Sequence, residues 1–169
     1  QRGNVLGFSG RLLPQMPRAG LPAGAFAKAG KYVNTPETPV YHKRSHLFGL
    51  DVTKNDIKET SRVIVVEGEF DLLSPWQVGI RNIVAIKGSA FTQEQAKIIS
   101  RFTKEVVFAL DADEAGSEAT KVGLRIAESE EIHVRIADLG SFKDPDEAAR
   151  ADKEEFKRKL EASDDAYDF

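Results

Sequence analysis

Two short patterns in this chain have the makings of a reaction centre. The β-branched run Arg62-Val63-Ile64-Val65-Val66 leads into Glu67-Gly68, and the later apolar run Glu105-Val106-Val107-Phe108-Ala109-Leu110 leads into Asp111-Ala112-Asp113. Carboxylates gathered at strand ends raise one another's pKa, so three together are unfavourable unless a cation sits among them. The cation that suits an all-oxygen ligand set is Mg2+. Gly68 lets the backbone turn sharply and lets a ligand come close, which points Glu67 outward. Asp111 and Asp113 lie two apart, so they project to one side wherever strand geometry persists through them.

The elements that must deliver these acids follow from the apolar spacing. Asn82-Ile83-Val84-Ala85-Ile86 is a further continuous run, as expected of a strand covered on both faces. Between the strands the period becomes helical. Thr92-Gln93-Glu94-Gln95 reads as a capping box followed by the stripe Ala96, Ile99 and Phe102, and Ala115, Ala119, Val122 and Ile126 mark an amphipathic helix after Asp113. Glu131-Ile132-His133-Val134-Arg135-Ile136 alternates polar with apolar, the pattern of a strand nearer the sheet edge. The order βαβαβαβ with right-handed crossovers predicts a three-layer α/β unit whose parallel sheet is flanked by helices. In such sheets ligands bind beyond the carboxyl ends of the strands, where all three acids fall.

Composition narrows the setting. With 169 residues and 41% hydrophobic content, the chain can bury one core plus a smaller attached subdomain. It has no cysteine, which removes disulfides and cysteine-ligated zinc and fits a reducing cytosol. No apolar run approaches membrane-spanning length, nothing resembles a signal peptide, and there is neither an internal repeat nor a low-complexity tract. The net charge of -3 conceals a split. Residues 1 to 50 carry seven Lys or Arg against the single acid Glu37, and the remainder is strongly acidic. A basic part suited to polyanions thus precedes an acidic part suited to metal ions, although a basic surface loop would give the same count.

Residues 11 to 31 read as loop, interrupted by Pro14, Pro17, Gly20, Pro22, Gly24 and Gly30. In Lys31-Tyr32-Val33-Asn34-Thr35-Pro36-Glu37-Thr38-Pro39 the two X-Pro steps hold the chain extended, which lets Lys31, Asn34 and Lys43 line a groove. Asp51 to Ser61 is polar, begins as a helix and marks the boundary between subdomains. The division expected is therefore a basic part over residues 1–60, an α/β domain with its following helices over 61–163, and a frayed acidic tail over 164–169.

These residues carry a family resemblance. Glu67-Gly68 with Asp71, Gly88-Ser89, and Asp111-Ala112-Asp113-Glu114-Ala115-Gly116 resemble the TOPRIM module of primases, topoisomerases and some nucleases, which has a Rossmann-like fold. Upstream, Gly7-Phe8-Ser9-Gly10-Arg11, the segment from Lys31 to Thr38, His42-Lys43 and Phe48-Gly49-Leu50 resemble the catalytic core of bacterial replicative primases of the DnaG type. The resemblance runs from Val5 to about Leu160, and the basic N-terminal part would be a partial subdomain of that core. It implies synthesis of short RNA primers on single-stranded DNA from ribonucleoside triphosphates, with Mg2+ or Mn2+ as cofactor, in the cytoplasm at the replisome. Glu67, Asp111 and Asp113 would form the catalytic acidic centre, and Asp144 and Asp146 of Lys143-Asp144-Pro145-Asp146 would add metal ligands. Arg11, Lys31, Tyr32, Asn34 and Lys43 would contact nucleic acid or nucleotide, with Gly88 and Ser89 in the nucleotide loop. Template DNA and the RNA-DNA hybrid are the implied partners. The resemblance also identifies the chain as a fragment, since the zinc-binding domain, the start of the core and the helicase-binding domain of whole primases have no counterpart in it.

The sequence departs from that pattern in two places. Lys87-Gly88-Ser89-Ala90 stands where many members have an apolar residue, Gly and Thr, and Pro75 is expected to kink the helix after Gly68 or force a restart capped by Ser74. Simpler roles are also open: Asp144 before Pro145 is an ordinary helix cap, though one residue can both cap and ligate. Asp71 suits a structural hydrogen bond, Asp113 a helix cap, and Trp76 the core; His42, His46 and His133 show no metal-ligand spacing. Two other functions compete: a non-catalytic TOPRIM nucleic-acid-binding module of recombination-mediator type, and a phosphatase of the haloacid dehalogenase type. The phosphatase motif sits on the first strand and continues to Thr, whereas here Asp-x-Asp follows the third strand and continues Glu114-Ala115.

Overall fold

The computed structural model describes residues 4–11, 32–87, 90–112 and 114–166. They fall into two compact units, Asn4–His42 and the chain from Lys43 onward. In the first, β1 (Ser9–Arg11) pairs antiparallel with β2 (Tyr32–Asn34). Side chains bonded to backbone and to one another hold this unit together. The Phe8 amide donates to Thr35 Oγ1 at 2.8 Å, Ser9 Oγ donates to Asn34 Oδ1 at 2.6 Å, and the Tyr41 amide donates to Thr38 Oγ1 at 3.0 Å.

The larger unit is the α/β sandwich that the spacing predicts. It runs through α1 (Leu50–Thr60), β3 (Val63–Val66), α2 (Glu69–Gln77), β4 (Ile83–Ala85), α3 (Gln93–Ile99) and β5 (Glu105–Phe108). It then continues through α4 (Glu114–Ser129), β6 (His133–Ile136), α5 (Pro145–Ala151), α6 (Lys153–Glu161) and β7 (Asp164–Asp165). The sheet order is β4-β3-β5-β6-β7, parallel except for β7. Successive residues of a strand face opposite ways. Val63, Val65, Val84, Val106 and Phe108 therefore pack under α1, α3 and α4, while Ile64, Val66, Ile83 and Val107 pack under α2, α5 and α6.

Four local outcomes differ from the sequence expectation or refine it. First, α2 runs unbroken through Pro75, which is buried. The proline forgoes one backbone bond near the end of a short helix, and the amides of Val78 and Ile80 then donate to its carbonyl. Ser74 caps no restart; its hydroxyl donates to the Asp146 carboxylate instead. Second, α1 is helical along its full length and ends at Ser61, whose φ is 53°. Third, among the described side chains of α4 the buried line is Ala119, Gly123 and Ala127; Ala119 belongs to the expected stripe, Val122 and Ile126 are only half-buried, and the Ala115 side chain lies outside the described ones. A Cβ on Gly123 would lie 2.8 Å from the Phe108 ring, so small residues are what let this helix approach the sheet.

Fourth, Asp164 and Asp165 of the acidic tail are not frayed: they form β7, with Ile136 opposite Asp164 and Arg135 opposite Asp165. Arg135 anchors the turn into it by donating from Nε to Ser163 Oγ at 3.0 Å and from its guanidinium to the Ser163 carbonyl. At the other border of the sheet, Phe48 exchanges two backbone bonds with Ala85, at 2.9 and 3.1 Å.

Candidate acidic centre and its strand-end loops

β3 and β5 are neighbours in the sheet, and each is followed by an acid, Glu67 immediately after β3 and Asp111 three residues after β5. The ladder between them extends to Ala109, whose amide donates to the Val65 carbonyl at 3.0 Å. Two residues later the Asp111 amide donates to Glu67 Oε1 at 3.4 Å, which brings the two predicted acids together. The Ala112 amide donates to the Lys143 carbonyl at 3.0 Å, so the Asp111 loop is stitched to the loop that carries Asp144 and Asp146.

Gly68 begins α2, and its role differs from a simple sharp turn. Its φ of -109° is open to any residue. What excludes a side chain is Asp71, whose Oδ2 accepts from the Gly68 amide at 3.0 Å and would lie 2.7 Å from a Cβ built there. The other oxygen of Asp71 accepts from the Asp146 amide at 3.4 Å. Asp71 therefore clamps the Glu67 loop to the start of α5. Burial pushes its carboxyl up to about 7, the nearby carboxylates of Asp111 and Asp144 push the same way, and the two amides oppose them. The cluster holds more negative charge than its surroundings tolerate, and a proton on Asp71 or a cation relieves it.

Asp144 caps α5 as its sequence context suggests: Oδ1 accepts from the Glu147 amide at 2.8 Å, and Oδ2 meets Lys143 Nζ at 2.9 Å. Burial raises its pKa, but the Glu147 amide and the Lys143 ammonium outweigh that, and the net direction is down. Asp146 uses one carboxylate oxygen for Ser74 and the other for Arg150. Among the described residues no three acidic or histidine side chains close into a metal cage. Asp113, Lys31, Gly88 and Ser89 lie outside the described residues, as do the side chains of Arg11 and Tyr32, which face each other across the β1–β2 ladder through their backbones. Asn34 Oδ1 is held by Ser9, and Lys43 opens a 3-10 turn, Lys43–Ser45, in the larger unit.

Sequence reasoning missed the Lys87–Glu69 ion pair, 2.8 Å long and nearly buried, and the Ser74–Asp146 bond. The charge in Lys87-Gly88-Ser89 was a visible signal for the first, while the second joins residues far apart in the chain and had none.

A family model described as Toprim-like matches residues 64–149, the stretch that holds β3, the acidic cluster and the start of α5. The chain belongs to the Toprim-like family. A second model, the N-terminal domain of the DNA primase catalytic core, matches residues 1–54 of this Toprim-like chain. A DNA primase of Aquifex aeolicus is 39% identical over 168 residues, covering 99% of the chain and 32% of the relative. The crystal structure of the zinc-binding and RNA polymerase domains of the Aquifex aeolicus primase superposes with a TM-score of 0.85 at 39% identity, over 99% of this chain and 39% of that one. A DnaG primase catalytic domain solved bound to single-stranded DNA gives 0.80 at 32% identity, over 97% and 49%. The Toprim-like chain thus spans about a third or less of the length of the curated relatives it matches. The fold is that of the DnaG catalytic cores, and neither the recombination-mediator nor the phosphatase reading is favoured by a chain whose first 54 residues match a primase core.

Proposed function

We propose that this chain is the Toprim-bearing catalytic part of a DNA primase, a DNA-dependent RNA polymerase that joins ribonucleoside triphosphates into short primers on single-stranded DNA at the bacterial replisome. One observation carries the reading: Glu67 and Asp111 meet past the ends of adjacent central strands, with Asp71 close enough to Asp111 and Asp144 to feel their charge. The similarity to DNA primases over nearly the whole chain supports it.

The donor set fits a hard divalent ion, being all oxygen and over-supplied with negative charge. Glu67, Asp111 and Asp113 would hold Mg2+ or Mn2+, with Asp144 and Asp146 adding ligands; Asp146 would have to give up Ser74 or Arg150 to do so. Bound there, a pair of such ions would supply charge stabilisation for attack by the primer 3'-hydroxyl and for departure of pyrophosphate. The chain's own contribution is alignment. Asp71 fixes the spacing between the Glu67 loop and α5, and Lys143 shields Asp144.

In this reading the basic part, residues 1–60, grips nucleic acid through Arg11, Lys31, Tyr32, Asn34 and Lys43, and Gly88 and Ser89 approach the triphosphate. The relative solved with single-stranded DNA supports that partner. No helix among the described residues is long and apolar enough to cross a membrane.

Titration calorimetry with Mn2+ tests the centre in the 169-residue chain. Asp111→Asn is expected to bind Mn2+ more weakly than wild type, and equal binding by the two would remove Asp111 from the site.

A further inference from the structure

We infer that Lys87 and Glu69 form a positioning pair that aims the Glu67 carboxylate. The inference rests on the reading of Glu67 as a site acid. Lys87 follows β4, the strand beside β3, and its Nζ lies 2.8 Å from Glu69 Oε1 in the first turn of α2. The two side chains are only 6% and 16% exposed. The Phe48 ring flanks the ammonium at 5.9 Å, and Phe48 is itself fastened to Ala85 by two backbone bonds.

The pair closes a small ring with Glu67 inside it. The Lys87 amide donates to the Glu67 carbonyl at 3.2 Å, and Glu67 connects through Gly68 to Glu69, whose carboxylate returns to Lys87. Glu67 is thus held through its own carbonyl on one side and through two peptide bonds on the other. Its side chain emerges from a fixed backbone to meet the Asp111 amide. The residue before Lys87 is pinned as well: the Ile86 amide donates to the Val66 carbonyl at 3.0 Å, and the Ile86 carbonyl accepts from the buried Gln95 side chain at 3.1 Å. Gln95 also donates to the His46 carbonyl at 2.9 Å, so the strand end beneath the pair is anchored from two directions.

Two physical arguments favour aim over plain stability. A nearly buried ion pair seldom stabilises more than apolar side chains of the same volume, so stability alone is a poor reason for one at this place. Lys87 also has φ 46°, a left-handed conformation that a lysine adopts only where its surroundings over-determine it. Strain and a desolvated charge at a single residue, both discharged onto the segment that carries Glu67, are what a geometric constraint requires.

Amide hydrogen exchange followed by NMR on the 169-residue chain tests the pair, with Glu69→Gln, Lys87→Gly and the reciprocal double variant Glu69→Lys/Lys87→Glu. Lys87→Gly takes away the ammonium with its stem and frees the backbone at that position, so Glu69→Gln is the variant that removes a charge alone. Protection, corrected for the intrinsic rate of the residue present, is expected to fall at the amides of positions 87 and 111 by about tenfold more than at Ile64 and Ala137, whose amides report opening of the sheet, in both single variants. The reciprocal variant should recover part of that protection. If Lys87 and Asp111 change only in step with Ile64 and Ala137, the pair is ordinary packing and the inference is overturned. Mn2+ titration of wild type, run alongside, separates the two readings: a chain that binds no Mn2+ counts against the metal centre, while the exchange pattern still decides whether the pair aims Glu67.

Discussion

The larger unit hangs its carboxylates on the ends of buried strands, whereas the described residues of the small unit Asn4–His42 bury almost nothing. Among the described residues of that small unit Tyr41 alone is buried, while Val5, Phe8 and Val40 are more than two-thirds exposed. Its order comes from Thr35, Ser9, Asn34 and Thr38 bonding to backbone and to one another. The sheet of the larger unit is sealed on both faces, with Val63, Val65, Val66, Val84, Val106 and Val107 fully buried. On the proposed function the contrast separates two tasks. An ion and a reacting phosphate demand fixed positions, which packing supplies. A polyanion gripped mainly through its charge tolerates an adaptable ribbon.

The sharpest way to break that contrast is to change one carboxyl oxygen. In a primase carrying this segment, Glu67→Gln is expected to lower primer synthesis by about 100-fold or more with little change in fold or DNA affinity, measured as primer yield against time. A variant that still makes primers at a near-normal rate would take Glu67 out of the centre. Next in size is the packing difference itself. Phe108→Ala removes a buried ring that meets Phe91 edge-on at 5.5 Å and underlies Gly123, and should destabilise the chain by about 3 to 5 kcal/mol in urea unfolding. Phe8→Ala, at a ring 78% exposed, should stay within about 0.5 kcal/mol of wild type.

The outcome at Phe108 also shows how much of the molecule the chain spells out locally. Four of the five strands of the larger sheet, their succession along the chain and the two capping motifs at Thr92 and Asp144 could be read directly, because each depends on neighbours in sequence, whereas β7 was expected to fray. The face of α4 was less legible. The stripe Ala115, Ala119, Val122 and Ile126 placed Ala119 correctly, but Gly123 and Ala127 are buried beside it while Val122 and Ile126 are only half-buried, because the Phe108 ring needs room. Within the site, Glu67 and Asp111 were legible as strand-end acids. The bonds from Ser74 to Asp146 and from Asp71 to the Asp146 amide span more than seventy residues of chain, and no local pattern announces such pairs.

Nucleic-acid binding probes the basic side of the contrast. The triple variant Arg11→Ala, Lys31→Ala, Lys43→Ala should bind single-stranded DNA more weakly and flatten the salt dependence by about 0.7 log units per lost phosphate contact, read by fluorescence anisotropy at several salt concentrations. Identical slopes would reduce these residues to solvated surface. The smallest expected effect is a pH dependence of stability from His46. Burial lowers its pKa below the ordinary 6.5, the Lys87 ammonium adds to that, and Asp51 opposes it. The unfolded chain therefore takes up the proton more readily than the folded one. The stability contribution is whole above pH 6.5 and declines as the pH falls below it. His46→Gln should show a shallower loss of urea midpoint between about pH 7 and pH 5, within the range where histidine titrates.

The short strand β7 and the two bonds that Phe48 makes to Ala85 have a consequence beyond the fold they complete. A parallel sheet normally ends in a row of unused amides and carbonyls, which any extended chain can adopt as a template. Here one border is occupied by Phe48 and the other by a two-residue antiparallel strand made only of aspartates. A second copy approaching β7 edge to edge would set carboxylates against carboxylates. The molecule is in this way guarded against joining its sheet to that of its neighbours.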